Sequence, residues 1–553
     1  MAAELKIESI HWRSSQPLTE DYVHNYSKVS SLFDYNPWDS RSLQERAVWL
    51  DQERGAAADR QQLAEVLLSY NKAVHNAPEA LQAVEQLKDA RTLCIVGGQQ
   101  AGLFTGQALV IYKAITLIRS AREASAKLGR TVIPIFWIAG EDHDFDEVNH
   151  IQTLSQDLQV QKLKIDPSSQ KRTSVSRLAI TEEQWEQALE QLDASLIPTE
   201  FKPAWMEALR SMASSSKTLV DLFAQMLAKL FGSQGLVLLD SDDPALRRVE
   251  APMFRTLLDR NGELREAFHQ GAGSVETLGY HPQVEMQERQ ANLFVFDDEE
   301  ERVLLYAGDQ AQVFTDRKQE RRFPKEQLVE WLETSPERFS NNVLTRPLMQ
   351  DYLFPVLGTV LGPGEIAYWA LTKPAFHQAG MTMPLIIPRL EFTLMEGTVQ
   401  KNMNKYGLSL EDVLYRLEEK QQQWLKEQDT LRLEERFEQV RSQFKDSYQP
   451  LVSLIAGINP GLGKLGETNM GKIVEQISFL EQKAADAVRT QFDASLRQFQ
   501  RIALAVVPGG KPQERVYNIL AYLNKYGTDW LYELLDAEAG ELAADGRHKV
   551  LYM

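Results

Sequence analysis

The stretch Thr92-Leu93-Cys94-Ile95-Val96-Gly97-Gly98-Gln99-Gln100-Ala101-Gly102-Leu103-Phe104-Thr105-Gly106 decides how the chain is read. A short apolar run, Thr92–Val96, ends in paired glycines, and a polar, glycine-containing turn follows. Beyond the turn, Gln107–Ala124 has helical apolar spacing, and Val132–Ile138 is a second apolar run closing on Ala139-Gly140-Glu141. Strand, glycine loop, helix, strand is the rhythm of an open parallel α/β sheet. It returns at Gly235–Leu239, which closes on Asp240, Asp242 and Asp243. It returns again at Phe354–Val360, closing on Gly362-Pro363-Gly364-Glu365, and at Pro384–Ile387, closing on Pro388-Arg389. The reading is therefore a Rossmann-like core over 91–393 with five parallel strands and two insertions. One insertion, about 151–230, reads as a strand pair followed by helices; the other, about 275–340, alternates like strands near Asn292–Phe296 and Arg302–Tyr306. Ligands of such sheets bind beyond the carboxyl ends of the strands.

Outside this core the pattern is helical. Residues 1–90 read as a helical segment packing on the core, with Leu43, Ala47 and Leu50 at helical spacing. Over 394–505, Leu417, Trp424 and Leu431 lie seven apart, and Phe437, Val440, Phe444, Tyr448 and Leu451 step by three or four. After AGINPGLGKLG a second ladder runs through Met470, Ile473, Ile477, Leu480 and Ala484 to Phe499. This predicts an antiparallel helical hairpin of coiled-coil type around a glycine-rich turn. Residues 506–553 read as a closing helical segment.

Composition narrows the class. The chain has 553 residues, 43% of them hydrophobic and 25% charged, which excludes disorder over most of its length. A net charge of −18 argues against a dedicated nucleic-acid binder, while leaving room for a local basic pocket. The one cysteine, Cys94, excludes an internal disulfide and a Cys-rich zinc site; it sits in the first strand and is expected to be buried and inert. The longest near-apolar run, Val132–Gly140, is too short to cross a bilayer. The opening MAAELKIESIHWRSSQ lacks a secretory signal pattern, so a cytoplasmic protein is expected.

Four polar clusters fall at strand ends. Gly97, Gly98, Gln99, Gln100, Gly102, Thr105 and Gly106 form a loop whose backbone N–H groups could cradle phosphate at a helix start, with Lys113 facing the same place. A ligand-free turn is the plainer alternative, but a simple βα connection spans only roughly two to six residues. In Glu141-Asp142-His143-Asp144, three carboxylates would repel unless a metal, an ammonium or an arginine offsets them. His143 there could serve as general base or as a cationic donor to phosphate. Ser340–Pro347 contains Asn341, Asn342 and Arg346, a set suited to a carboxylate or a sugar hydroxyl; helix capping accounts for one of them but not all. Glu365 and Arg389 complete the ring. His377 reads as a surface or packing residue, and Gly457–Lys464 misses the phosphate-loop spacing. No paired Cys/His spacing exists, structural zinc is not expected, and no metal ligands are assigned.

Together, VGGQQAGLFTG (Val96–Gly106), IPIFWIAGEDHDFDE (Ile133–Glu147), RFSNNVLTRPLMQ (Arg338–Gln350), GPGEIAYW (Gly362–Trp369), PLIIPR (Pro384–Arg389), QERVYN (Gln513–Asn518) and SLFDY (Ser31–Tyr35) resemble the bacillithiol biosynthesis cysteine-adding enzyme family, the cysteine ligases. The resemblance covers most of the chain in order. It implies a nucleotidyltransferase-type Rossmann core and a coiled-coil arm that makes a homodimer. It implies a ligase that adds L-cysteine to the amine of glucosaminyl-malate. ATP is the implied co-substrate, accompanied by Mg2+, with a cysteinyl-adenylate or a cysteinyl phosphate as intermediate. On that reading Asp142, His143 and Asp144, next to Glu141, orient and deprotonate the amine or hold magnesium. The glycine loop cradles phosphate, and Asn341, Asn342, Arg346 and Arg389 hold malate and sugar, with Glu365 and Trp369 beside them. The alternatives are another nucleotidyl or acyl transfer on the same core, or a dimeric scaffold for the pathway.

Overall fold

In the computed structural model, which describes residues 6–167, 171–309, 312–428, 432–538 and 542–553, the five expected strands form one parallel sheet. They are β1 (Leu93–Gln99), β2 (Val132–Ile138), β3 (Val237–Asp240), β4 (Val356–Leu361) and β5 (Leu385–Pro388), in the order β5–β4–β1–β2–β3. β2 is buried along its whole length and β1 along all but Gln99. Burial on both faces is why these strands read as continuous apolar runs rather than alternating ones. The register sets Gln99 beside Ile138, Ile138 beside Asp240, and Leu361 beside Pro388, so the carboxyl ends share one edge. The chain steps outward from β1 to β2 to β3, then crosses back to place β4 on the other side of β1. The crevice between β1 and β4 is thus the topological switch point, where ligands of doubly wound sheets bind. β1 and β2 approach closely at Gly98, where a Cβ would stand 2.6 Å from the Trp137 carbonyl oxygen.

The helix Leu109–Leu128 covers β1 and β2 and stops at Gly129 in the left-handed conformation, a standard helix end. The first insertion is a hairpin, His150–Leu154 with Val160–Lys164, followed by helices Glu182–Ser195, Lys202–Ser215 and Leu219–Phe231. The second insertion builds an antiparallel five-stranded sheet in the order Arg322–Pro324, Val313–Thr315, Arg302–Ala307, Gln290–Phe296, Phe339–Asn341. Two of these strands match the alternating patterns; the other three have only three residues each, too few to show a period.

The chain divides into two compact units, 1–393 with 514–552, and 394–513 with Met553. In the first, the two terminal segments read as helical contribute strands. Lys6–Ile10 pairs antiparallel with His548–Tyr552, an arrangement no local pattern could reveal because the partners lie at opposite ends of the chain. In the second unit, helices Leu433–Ile458 and Pro460–Gln491 form the expected antiparallel hairpin. Arg441 pairs with Glu481 across it, and Tyr448 Oη donates to Asn469 Oδ1 at 2.7 Å. The expected glycine-rich turn is shorter than its sequence suggests: Asn459 alone separates the helices, and Pro460 begins the next. Gly463 and Gly466 are helical and face the partner helix, where a Cβ would meet Ala456 at 2.7 Å and Val452 at 3.1 Å. The second ladder is not one helix; it breaks at Phe492, and Asp493–Val506 follows. Trp424, Phe492, Phe499 and Tyr406 cluster near that break, while Leu431 lies outside the described residues.

Candidate active site at the carboxyl edge of the sheet

At the switch point stands Lys113. Its ammonium is buried and donates to the Gly98 carbonyl (2.6 Å), to Gln99 Oε1 (3.1 Å) and to Glu365 Oε2 (2.6 Å). Burial lowers its pKa to about 8, against the opposing pull of Glu365. Glu365 belongs to the turn after β4 and also accepts from Gly362 N at 2.8 Å. Burial disfavours its charge, but Lys113 and Arg346 outweigh that and hold its pKa below the ordinary range. Arg346 donates to Tyr368 Oη at 2.5 Å, and its Nε is buried without a partner. Lys113 is 1% exposed and Glu365 22%, so the pair opens to solvent on the carboxylate side.

The glycine loop is largely enclosed. Ala101, Leu103, Phe104 and Thr105 are buried. Asn518 Nδ2 donates to the Phe104 carbonyl (2.7 Å) and to the Gly106 carbonyl (2.5 Å), and Ala108 N donates to Tyr517 O (2.9 Å). Phe104, Thr105 and Gly106 have φ of 47°, 71° and 67°. Two consecutive non-glycine residues in that region are strained, and such strain persists only where surroundings impose it. The Thr105 hydroxyl is buried and unpartnered. Of the residues expected to cradle phosphate, Gln99 bonds Lys113, and Gln100 donates to Asp142 (2.6 Å) and Glu147 (3.0 Å).

The four-residue acidic run splits into three environments. Glu141 is buried: its Oε2 accepts from Arg247 (2.5 Å), Ser340 Oγ (3.0 Å) and Asn341 N (3.2 Å). Arg247 also bonds Glu250 at 2.7 Å and lies 3.6 Å from Asp242, which Arg177 holds with two hydrogen bonds. Asp142 accepts from Gln100 and, at 2.7 Å, from His143 N. Burial opposes its ionisation, yet Gln100, Arg302 and His143 hold its pKa below the usual value. Asp144 is exposed. The arginine that offsets this run, one of the three possibilities the sequence left open, is Arg247.

His143 lies between two guanidinium groups. Arg302 Nη1 is 3.1 Å from its Nδ1, and Arg172 Nη2 is 3.3 Å from its Nε2. Burial, and then Arg302, push its pKa below the ordinary histidine value, so the ring is neutral at neutral pH. A neutral imidazole has one acceptor nitrogen and cannot accept from both arginines. One guanidinium donor is thereby left to an anion. Arg302 is itself fixed by Ser340 Oγ (2.9 Å) and the Asn341 carbonyl (2.7 Å), and its guanidinium lies 3.9 Å from the centroid of the Phe294 ring.

The remaining expected residues part company. Asn342 Oδ1 accepts from Leu344 N and Thr345 N at 2.9 Å, capping the turn that leads into the helix Arg346–Leu353. Asn341 is 1% exposed, and both polar atoms of its amide lack a partner. Trp369 is buried in the core against Phe376. Arg389 is buried in ion pairs with Glu514 (2.5 Å) and Glu391 (2.9 Å), which anchor the segment carrying Asn518. Asp34 of SLFDY accepts from Met383 N (2.8 Å) and pairs with His377 (2.9 Å), so His377 has the packing role expected of it. Cys94 is buried, and burial pushes its thiol up to about 12.

Sequence reading missed Arg172, Arg302, Arg247 and Tyr368. The first three lie outside the motifs that the sequence singles out, and only the fold carries them to the strand ends. Three buried groups here lack a partner: Arg346 Nε, near Lys113, the side-chain amide of Asn341, whose backbone carbonyl Arg302 bonds, and Thr105 Oγ1. That donor set fits a polar, anionic ligand.

A family model described as the N-terminal Rossmann-like domain of bacillithiol biosynthesis BshC matches residues 5–390, and one for the C-terminal coiled-coil domain of BshC matches residues 392–553. Relatives that carry the name "Putative cysteine ligase BshC" are similar along the whole chain. One from a Geobacillus species is 36% identical over 553 residues, covering 99% of this chain and 100% of the relative. One from Bacillus cytotoxicus is 36% identical over 517 residues, 93% of this chain and 95% of the relative. One from Geobacillus thermodenitrificans is 34% identical over 550 residues, 99% and 100% respectively.

Proposed function

The chain belongs to the BshC family of bacillithiol biosynthesis, and from that premise we propose that it joins the carboxyl group of L-cysteine to the amino group of glucosaminyl-malate, with cleavage of ATP, to give bacillithiol. The observation that carries this reading is His143, neutral and set between Arg172 and Arg302. Glucosaminyl-malate has an amine and two carboxylates in one molecule. Its amine must lose a proton to attack an acyl group; a neutral imidazole accepts that proton at its one acceptor nitrogen once a substrate carboxylate draws away the guanidinium that donates to it. Its carboxylates call for guanidinium donors, which bind them with charge-assisted hydrogen bonds.

ATP supplies the leaving group that turns the cysteine carboxylate into an acyl donor. Lys113 and Arg346, at the switch point between β1 and β4, are the cations that would meet its phosphates, and Gly98–Gln100 the backbone they would lie against. Lys113 and Glu365 keep that wall of the crevice in place. Glu141 positions Ser340 and Asn341, and through Ser340 the Arg302 guanidinium, without touching substrate. Because Glu141 is spent on Arg247 and Asp142 on Gln100 and His143 N, the acidic run does not converge into a three-carboxylate cage. A magnesium ion held mainly by the nucleotide's phosphates suits such a site.

We also propose that the helical hairpin pairs with a second copy of the chain. Leu454, Ile458, Leu465, Phe479 and Leu480 are all more than half exposed, large apolar side chains spread along it that a water-facing arm has no use for.

The test is a mass-spectrometric assay of the purified protein with cysteine, glucosaminyl-malate, ATP and Mg2+. Bacillithiol with a stoichiometric amount of AMP or ADP is the expected result and identifies the activation chemistry. Folded protein that yields neither product nor nucleotide cleavage overturns the reading.

A further inference from the structure

The N-terminal strand Lys6–Ile10 leads into His11, and the helix Pro17–His24 follows a short turn later. On that helix Glu20 and His24 are four residues apart and share a face. Their Oε1 and Nε2 atoms are 3.8 Å apart, and His11 Nε2 lies 2.6 Å from the same Glu20 oxygen. One ligand atom from each of the three residues falls within 4.8 Å of the others, and no other group of three or more His, Cys, Asp or Glu among the described residues does so. The two imidazoles meet edge to face, with centroids 4.4 Å apart.

We propose that His11, Glu20 and His24 bind a zinc-type divalent ion. A tetrahedral zinc ion with bonds of about 2.0–2.2 Å sets its ligand atoms roughly 3.3 Å apart, a spacing this trio brackets. Two imidazoles and a carboxylate suit zinc and its first-row neighbours, whereas magnesium and calcium take oxygen ligands. The support expected behind a ligand is present: Glu20 Oε2 accepts from Ser14 N at 2.8 Å, which orients the carboxylate. The His11 side chain is 58% exposed, which gives the ion an open path and leaves its fourth position to water. Without metal, the hydrogen bond between His11 Nε2 and Glu20 Oε1 holds the trio together.

The site also touches the fold at a useful place. Thr19, beside Glu20, donates to the Pro363 carbonyl at 2.6 Å, and Pro363 belongs to the turn that presents Glu365 to Lys113. Tyr22 on the same helix donates to the Ile386 carbonyl at 2.8 Å. A metal ion that fastens His11 to this helix therefore stiffens the back of that turn.

The experiment uses full-length protein stripped with a chelator and titrated with Zn2+ against a chromophoric competitor, with Co2+ as a spectroscopic probe. One equivalent of Zn2+ bound, a raised Tm and visible Co2+ bands are expected. His11→Ala and His24→Ala should each abolish all three signals while keeping the Tm of the stripped wild type. Should either variant lose that Tm, Glu20→Gln, which keeps the shape of the side chain, takes its place. Absence of stoichiometric binding, or binding that survives these substitutions, overturns the proposal. The readouts involve no ligation, so this result is separate from the proposed reaction.

Discussion

Two buried cations hold the carboxyl edge of the sheet, and they do so differently. Arg247, near β2 and β3, is closed to solvent: Glu141 and Glu250 bond it, Asp242 stands 3.6 Å away, and neither Arg247 nor Glu250 is exposed, although Arg247 Nε and Glu250 Oε1 have no hydrogen-bond partner. Lys113, between β1 and β4, has one carboxylate partner, and that partner is open to solvent. Both networks follow apolar strands and look alike in one dimension. The first is sealed from solvent, so it braces the sheet; the second retains access and a lowered pKa, so it can answer a ligand. Closure, rather than charge at a strand end, separates scaffold from site.

The sharpest way to break this contrast is Arg247→Met. The substitution strips Glu141 and Glu250 of the arginine that bonds them, while Asp242 keeps Arg177, and breaking a buried pair typically costs ~3–5 kcal/mol. Denaturant unfolding should show a loss of that order. A variant as stable as wild type would mean that the network is not a brace.

His143→Ala tests the working side. Loss of a general base lowers turnover by roughly 10²–10⁴-fold, with the denaturation midpoint unchanged because the ring is only partly buried. In wild type, kcat/KM should climb with pH through a pKa below 6.5, since burial and Arg302 depress it. Full turnover in the variant, or an acid limb that persists in it, would remove His143 from the chemistry.

These two residues also show what the sequence could say. The sheet was legible because β1 to β5 are buried on both faces, which forces apolar runs, and each run ends in a glycine or proline turn or, at β3, in an acidic cluster. The acidic run was legible as a cluster, but its division was not. Glu141 as brace and the base role proposed for His143 depend on Arg247, Arg302 and Arg172, whose distances in the chain no local spacing encodes. Asn342 and Arg389 matched a binding chemistry by residue type, yet their hydrogen bonds are spent inside the protein. Lys113 was legible as a lysine one to two turns into a helix, facing the glycine loop, but its pairing with Glu365 was not. The strand pairing of Lys6–Ile10 with His548–Tyr552 left no trace at all.

Lys113 offers a finer cut between the two networks. Its pKa, lowered by burial to about 8 from 10.5, leaves the folded chain binding fewer protons than the unfolded one between those values. Stability contributed by this group therefore rises with pH across that window, and its cost is fully present below pH 8. Activity that needs the ammonium moves the opposite way and falls about tenfold per pH unit above pH 8. In Lys113→Met both slopes should vanish. A descending limb unchanged in that variant would assign it to another group.

The smallest effect expected concerns how the glycine loop is held. Asn518 donates to the carbonyls of Phe104 and Gly106, flanking the strained residue Thr105. Asn518→Ala removes the donor from two buried acceptors, a loss of about 1–3 kcal/mol. Because the loop flanks the switch point but does not reach the reacting atoms, KM for ATP should rise several-fold while kcat changes less. Asn518→Asp is the stricter version. It sets a carboxylate against two carbonyl oxygens, so repulsion replaces attraction at the same volume. If the loop conformation is imposed from the C-terminal segment, amide exchange at Leu103–Thr105 should accelerate in Ala and further in Asp. Equal exchange in all three proteins would mean that the loop holds its left-handed turn by itself, and that the site needs nothing from the last forty residues of the chain.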